Sequence, residues 1–105
     1  MFAGHAYLVA GRSEDIGAVF EVLKKEGIET EKNPDLYVSR FGQFAIDDAR
    51  KLTERAALRA IGTRRVFVIA LDSINSEAQN ALLKTLEEPP GGALFFILHP
   101  APDTL

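Results

Sequence analysis

Residues 76–90 read S-E-A-Q-N-A-L-L-K-T-L-E-E-P-P, from Ser76 to Pro90, and this stretch dominates the prediction of the fold. Ser76 and Gln79 fit an S-x-x-Q capping box at the start of a helix. The segment ends in two prolines and two glycines follow it, and together they predict the end of that helix. Residues spaced three and four apart predict its buried stripe, which consists of Ala78, Ala81, Leu82, Thr85 and Leu86.

Apolar runs on both sides of this helix predict strands. Val66 to Leu71 precedes the helix and Ala93 to Leu98 follows it. Both runs are continuously apolar, which is typical of central strands in a parallel sheet covered on both faces.

The first part of the chain shows the same alternation of strand and helix. Ala6 to Ala10 predicts a first strand, within an N-terminus that lacks the basic start of a secretory signal. Ser13 suits the N-cap of a first helix, which is expected to end at Gly27. The core face of that helix is predicted to contain Ile16, Val19, Phe20 and Leu23.

A second strand is predicted at Leu36 to Val38, and Phe41 to Phe44 is expected to connect it to the next helix. That helix is predicted from about Ile46 to Ile61, with Gly62 ending it. Its expected core face consists of Ile46, Ala49, Leu52, Ala56 and Ala60. The resulting β-α-β-α-β-α-β order predicts the α/β class, a three-layer fold with a mostly parallel sheet and helices on both faces.

Composition restricts the classes of function. The chain has 105 residues, of which 47% are hydrophobic and 26% charged, as in an ordinary globular domain. No apolar run has the roughly 18 residues needed to span a bilayer. There is no cysteine, which excludes disulfides and thiolate metal sites and is compatible with a cytoplasmic location. The net charge of −3 provides no bulk attraction for nucleic acid.

The turn after the first strand lies where many α/β proteins bind phosphate through G-x-x-x-x-G-K-[ST]. Here the turn reads G-R-S-E-D-I-G-A from Gly11 to Ala18. Ile16 replaces the second glycine, Gly17 replaces the lysine and Ala18 replaces the hydroxyl residue. An ordinary capped helix start is therefore predicted, and no cofactor is expected.

A magnesium-dependent ATPase also needs acids at the end of the strand before the decisive helix. Only Asp72 is present there. A turn residue and a metal ligand are equal alternatives for it, and a structural role is preferred. His5 and His99 have no cysteine or acid at ligand spacing, so no metal site is predicted. No catalytic residue is predicted either.

The polar side of the decisive helix is the candidate interaction surface. Glu77, Asn80, Lys84 and Glu87 recur there at spacings of three and four. A solvated face with weak side-chain pairs is the alternative interpretation. Asn80 favours a specific partner, because asparagine is a poor residue inside a helix.

Four segments resemble one family. H-A-Y-L-V-A-G at 5–11, I-D-D-A-R-K-L at 46–52 and A-L-F-F-I-L at 93–98 are each weakly specific. E-A-Q-N-A-L-L-K-T-L-E-E-P-P at 77–90 is highly specific. Together they resemble the AAA+ clamp-loader subunits of bacterial DNA polymerase III, of the delta-prime and gamma/tau type.

The resemblance implies a P-loop/AAA+-like core with strand order 1-4-3-2. Residues 1–105 are then expected to form a single truncated AAA+-like core domain. Degenerate Walker motifs imply a non-catalytic, delta-prime-type subunit domain that acts in DNA replication through protein–protein contacts. The expected partners are other clamp-loader or replication subunits; a homo-oligomer and DNA contact are left open, and no membrane is expected.

Two alternatives remain at this point. The first is a divergent ATP-binding fragment of a clamp-loader ATPase. The second is a scaffold that associates with itself through an exposed edge of the sheet, since exposed strand edges pair with other chains.

Overall fold

The computed structural model describes residues 5–105 and forms one four-stranded sheet. The strands are β1 (Ala6–Ala10), β2 (Leu36–Phe44), β3 (Val66–Ile74) and β4 (Leu94–His99), and the helices are α1 (Ile16–Lys25), α2 (Ile46–Ala56) and α3 (Ser76–Glu87). Short 3-10 turns occupy Ser13–Asp15, Pro90–Gly92 and Pro102–Thr104. Within residues 5–105 every strand pair is parallel and the order is β1-β4-β3-β2, which confirms the predicted class and topology.

The two helical layers pack on opposite faces of β3, because successive side chains of a strand alternate in direction. Val66, Val68 and Ala70 pack against α1, whereas Phe67, Ile69 and Leu71 pack against α2 and α3. All six side chains are buried. This double burial requires the continuous apolar run that the sequence predicted.

The first strand and the end of α1 agree with the sequence. The part of the N-terminal segment before His5 lies outside the described residues. Gly27 adopts φ +79°, and its N–H donates to the Lys24 carbonyl, while Ile28 N–H donates to the Leu23 carbonyl. These two bonds form a Schellman motif, which favours glycine at this position.

The predicted N-caps of two helices are wrong. Ser13 begins a 3-10 turn, and the Asp15 carboxylate, not a serine hydroxyl, accepts a backbone N–H at that end. At α3 the cap is Asn75, whose side-chain oxygen accepts the Ala78 N–H at 2.8 Å. The Ser76–Gln79 capping box is therefore replaced by a cap one residue earlier.

The predicted end of α2 is also wrong. The helix ends at Ala56, five residues before Ile61, because the N–H groups of Ile61 and Gly62 donate to the Asp35 carboxylate instead of continuing the helix. Ala49, Leu52 and Ala56 are buried as predicted, whereas Ile46 and Ala60 are only partly buried.

Two strands are longer than predicted. β2 continues through Phe41 to Phe44, the segment expected to be a connection, and pairs with an equally extended β3. Phe44 is fully buried, with its ring 5.0 Å from that of Phe41, so packing against the α2 and α3 layer holds this segment in the sheet. β4 is shifted by one residue, to Leu94–His99.

Replacing the observed α3 cap tests the corrected helix start. Asn75→Ala removes the oxygen that satisfies the Ala78 N–H, and we expect it to lower the free energy of unfolding by about 1 kcal/mol. Ser76→Ala is the matched control and should change stability by only a few tenths of a kcal/mol. Urea denaturation measures both variants. A larger loss of stability in Ser76→Ala than in Asn75→Ala would support the predicted Ser76–Gln79 capping box instead.

Candidate functional site

The turn after β1 is closed by one of its own carboxylates. Arg12 N–H donates to Asp15 Oδ2 at 2.8 Å, and a Cβ built on Gly11 would lie 2.9 Å from the same oxygen. The carboxylate therefore fills the space that backbone N–H groups offer to an anion in a phosphate-binding turn. Ile16 is buried in the core, and Gly17 and Ala18 are exposed on α1 with no group that could bind phosphate or magnesium.

Asp72 lies in the last third of β3, beside this turn. Its Oδ1 is 3.5 Å from Arg12 Nη1, and both side chains are more than half exposed. An exposed ion pair of this kind contributes between 0 and about 1 kcal/mol, so it neutralises Arg12 only weakly. The structure thus brings Arg12 and Asp72 together, and the strand position of Asp72 corrects its interpretation as a turn residue.

Residues 5–105 contain no group of three histidine, cysteine, aspartate or glutamate side chains placed to hold a metal ion. Both histidines are used in hydrogen bonds. Ala101 N–H donates to His99 Nδ1 at 2.9 Å, and His5 Nδ1 lies 3.1 Å from Arg64 Nη2. None of the helices formed by these residues has the length and apolarity of a membrane span.

The polar face of α3 is solvent-exposed as a continuous stripe. Glu77, Asn80, Lys84 and Glu87 are all exposed, and within residues 5–105 their side chains form no hydrogen bond or ion pair with one another. The opposite side of α3 packs on the sheet through Ala78 and Leu82. Beside them, Thr85 Oγ1 lies 2.8 Å from Thr53 Oγ1 of α2. The predicted stripe is thus present, and its use as an interaction surface stays a prediction.

A second surface was not predicted from the sequence. Residues 57–65, here called the basic–apolar loop, read A-L-R-A-I-G-T-R-R and contain three arginines and no acid. Leu58 is 58% exposed and Ile61 is 78% exposed. The composition of this segment is a sequence signal, but residues 57–61 are predicted as the last part of the helix that begins at Ile46.

Asp35 holds the basic–apolar loop in place. Asp35 is 5% exposed, and its carboxylate accepts the N–H groups of Ile61 at 2.8 Å and Gly62 at 2.7 Å. These two hydrogen bonds lower the pKa of Asp35 below its ordinary value of 3.8, and the nearby charge of Arg65 lowers it further, against the opposing effect of burial. The charged carboxylate therefore fixes the backbone that carries the exposed Ile61 side chain.

Comparisons with known proteins agree on one family. The family model described as DNA polymerase III, delta subunit, matches residues 21–105. The DNA polymerase III subunit delta′ of Escherichia coli (strain K12) is 38% identical over 64 residues, which cover 59% of this chain and 19% of that protein. The chain therefore spans about a fifth of the length of this curated relative.

A solved structure shows the same fold. The crystal structure of a DNA polymerase III, gamma subunit-related protein from Thermotoga maritima matches with a TM-score of 0.71 at 23% identity. The match covers 97% of this chain and 36% of that one. At this identity the likeness establishes the fold and carries no residue roles.

Asp35→Asn tests how the basic–apolar loop is fixed. In this variant an amide NH2 group replaces one carboxylate oxygen and faces one of the two backbone N–H donors, Ile61 or Gly62. One hydrogen bond is therefore lost, and we expect lower stability at neutral pH. Because the folded-state pKa lies below 3.8, the charged carboxylate stabilises the fold above that pH, and this contribution is lost as the pH falls through the folded-state pKa. The stability gap between the two proteins should therefore shrink on acidification below pH 3.8.

Urea denaturation across this pH range measures the gap. Asp47→Asn is the control, since Asp47 is exposed and pairs only with Arg50 at 3.4 Å within residues 5–105. A gap that stayed constant on acidification would contradict the role of the charged carboxylate.

Proposed function

Since the chain belongs to the DNA polymerase III delta-subunit family, we propose that it acts in DNA replication as a non-catalytic, clamp-loader-type AAA+ domain. In this proposal residues 1–105 form one delta-prime-type core domain that works in the cytoplasm. Its role is to contact other clamp-loader or replication subunits, not to hydrolyse ATP.

The observation that carries the proposal is the Asp15 carboxylate in the turn after β1. It accepts the Arg12 N–H at 2.8 Å, so a nucleotide phosphate entering the turn would meet a negative charge at a donor that is already occupied. The turn has no lysine to offset this repulsion, because Gly17 occupies that position. Arg12 is a poor substitute, since its side chain is 55% exposed and solvent screens its charge.

The basic–apolar loop supports a role in protein contacts. Single exposed apolar residues are common on protein surfaces and need no explanation. Here, however, Leu58 and Ile61 lie three positions apart, Arg59 is exposed between them, and a buried carboxylate fixes the backbone. Arginine together with apolar side chains is typical of protein interfaces.

The polar face of α3 is the second proposed contact surface. Its two glutamates and one lysine leave Glu77, Asn80, Lys84 and Glu87 with a net negative charge. That charge favours a protein partner over a phosphate backbone, which attracts cations. DNA contact through this face is therefore the weaker form of the proposal.

Isothermal calorimetry tests the absence of nucleotide binding. We expect no saturable heat when magnesium-ATP is titrated to millimolar concentration, because the turn lacks the phosphate-binding lysine and its Arg12 N–H is already bonded to the Asp15 carboxylate. Titration of magnesium chloride alone is the control for unspecific heat. Clear saturable ATP binding would instead support the divergent ATPase fragment.

Substitution of Ile61 tests the contact surface. We expect Ile61→Asp to weaken association with purified clamp-loader subunits by about tenfold or more, as loss of a central apolar contact does. Stability should be unchanged, because the side chain is 78% exposed. Val22→Asp on α1 is the matched control, since Val22 is also exposed. Biolayer interferometry measures the affinities; equal binding by the wild type and Ile61→Asp would exclude the loop, and no binding by the wild type would contradict the proposed function.

Self-association is the remaining alternative, and β1 is an edge of the sheet formed by residues 5–105. Leu8 on this edge is 43% exposed. Light scattering at high concentration distinguishes a self-associating scaffold from a clamp-loader-type domain, because a strictly monomeric chain would exclude the scaffold.

A further inference from the structure

We propose that the pocket between the basic–apolar loop and the Pro90–Gly92 turn binds a carboxylate side chain of a partner protein. This inference rests on the proposed function, since the carboxylate belongs to the protein that contacts the loop, and it adds the chemistry by which that protein is recognised. Three observations support it: two arginines that the fold does not use, walls that hydrogen bonds hold in place, and exposed apolar side chains in the same loop.

The pocket has a volume of about 490 Å³, which is within the usual range for ligand pockets. Arg59 and Arg65 are the charged residues of its lining, and Thr63 adds a hydroxyl group. The other residues that line it are glycine, alanine, leucine and proline, and among residues 5–105 no aspartate or glutamate does. An anion that enters the pocket therefore meets two cations without an acid in the wall.

The fold itself uses neither arginine as a donor. Within residues 5–105 the side chains of Arg59 and Arg65 form no hydrogen bond and no ion pair. Arg65 Nε is buried without a hydrogen-bond partner, and its guanidinium lies 5.7 Å from the centre of the Phe67 ring. A guanidinium donor left without a partner costs free energy, and the strongest partner for it is a carboxylate that accepts two N–H groups at once.

The charges around the pocket leave it positive. Asp35 is the nearby acid, since the charge of Arg65 lowers its pKa, but both of its carboxylate oxygens accept backbone N–H groups of the loop. The three arginines of the loop exceed this one acid by two charges. The carboxyl end of α2 contributes only about half a negative charge. Glu87 and Glu88, at the end of α3, are exposed and do not line the pocket.

Hydrogen bonds hold both walls of the pocket in place. The Asp35 carboxylate fixes the loop through two backbone N–H groups. Arg64 Nε donates to the Gly92 carbonyl at 2.9 Å, which joins the loop to the opposite wall. The Leu94 N–H donates to the Arg65 carbonyl at 2.9 Å and so joins both to the sheet. The walls are thus positioned before a ligand arrives, which reduces the ordering cost of binding.

A protein carboxylate fits this site better than a phosphate does. Leu58 lines the pocket and is 58% exposed, and Ile61 of the same loop is 78% exposed. An acidic side chain with apolar neighbours would contact the arginines and these two residues together. A free phosphate would use the arginines alone. A nucleic acid would also lack an aromatic side chain in the lining on which a base could stack.

NMR spectra of the amide groups of the 105-residue chain test the proposal, with a capped tripeptide of glutamate between two leucines as the probe. We expect saturable shifts of the Thr63 and Gly91 signals at millimolar peptide, because both residues line the pocket. The same tripeptide with glutamine should bind about tenfold more weakly, since it cannot form the charge-assisted hydrogen bonds. Unchanged signals at these residues, or equal affinity for the two peptides, would overturn the proposal.

Substitution of each arginine identifies the cations. Arg59→Gln removes a charge, and we expect the preference for the glutamate peptide to disappear. Arg65→Lys keeps the charge but lacks the fork that binds both carboxylate oxygens, so the preference should fall in part. Arg50→Gln on α2 is the matched control, since Arg50 is exposed and pairs only with Asp47 within residues 5–105. A full preference in both Arg59→Gln and Arg65→Lys would contradict the site.

The preference compares two peptides on one variant, so a modest loss of stability does not change it. Arg59 is exposed, and Arg59→Gln decides the result if Arg65→Lys fails to fold. Tighter binding of inorganic phosphate than of the glutamate peptide would identify a phosphate site and overturn the proposed occupant.

Association with purified clamp-loader subunits separates this inference from the proposed function. We expect Arg59→Gln to weaken that association by about tenfold. If the wild type and Arg59→Gln associate equally, the carboxylate pocket is wrong and the proposed function stands. If the wild type does not associate but prefers the glutamate peptide, the pocket stands as a carboxylate site and the proposed function is wrong.

Discussion

The structure depends on the burial of β3 from both sides. Its alternate side chains pack against α1 on one face and against α2 and α3 on the other. Phe67 stacks on Phe95 of β4 with ring centres 4.9 Å apart, which fixes the two central strands against each other. A polar residue inside this run would lie in a core without a partner, so the first acid, Asp72, comes only where the strand leaves the buried region.

This constraint also shapes the proposed function. The strand that would carry the acids of an ATPase is apolar through Leu71, and the turn facing it is closed by Asp15. Under the proposed function, the chain therefore has the fold of its family without ATP hydrolysis. The α/β core presents two exposed surfaces, the basic–apolar loop and the polar face of α3.

Local signals predicted elements well where tertiary contacts agreed with them. The Schellman glycine Gly27 and the apolar runs of β3 and β4 are examples, because backbone conformation and burial there depend on neighbouring residues. The predictions failed where a distant group competed. Asp35 is 26 residues from Ile61 along the chain, yet its carboxylate takes the N–H groups that would extend α2. Phe44 extends β2 for the same kind of reason, since its burial depends on helices that follow it.

The same distinction between local signals and tertiary contacts applies to the candidate site. The sequence alone determined the α/β class, the resemblance to a clamp-loader family, the missing lysine and hydroxyl in the turn after β1, and the spacing of Glu77, Asn80, Lys84 and Glu87, because each depends on residue type and local periodicity. Only the tertiary structure placed the Asp15 carboxylate on the Arg12 N–H, paired Arg12 with Asp72, and ended α2 so that Ile61 became exposed. The contacts of Arg12 with Asp72 and of Asp35 with Ile61 join groups 60 and 26 residues apart in the chain, and only packing around the buried β3 brings them together. The Asp15–Arg12 bond spans three residues and depends on the conformation of the turn.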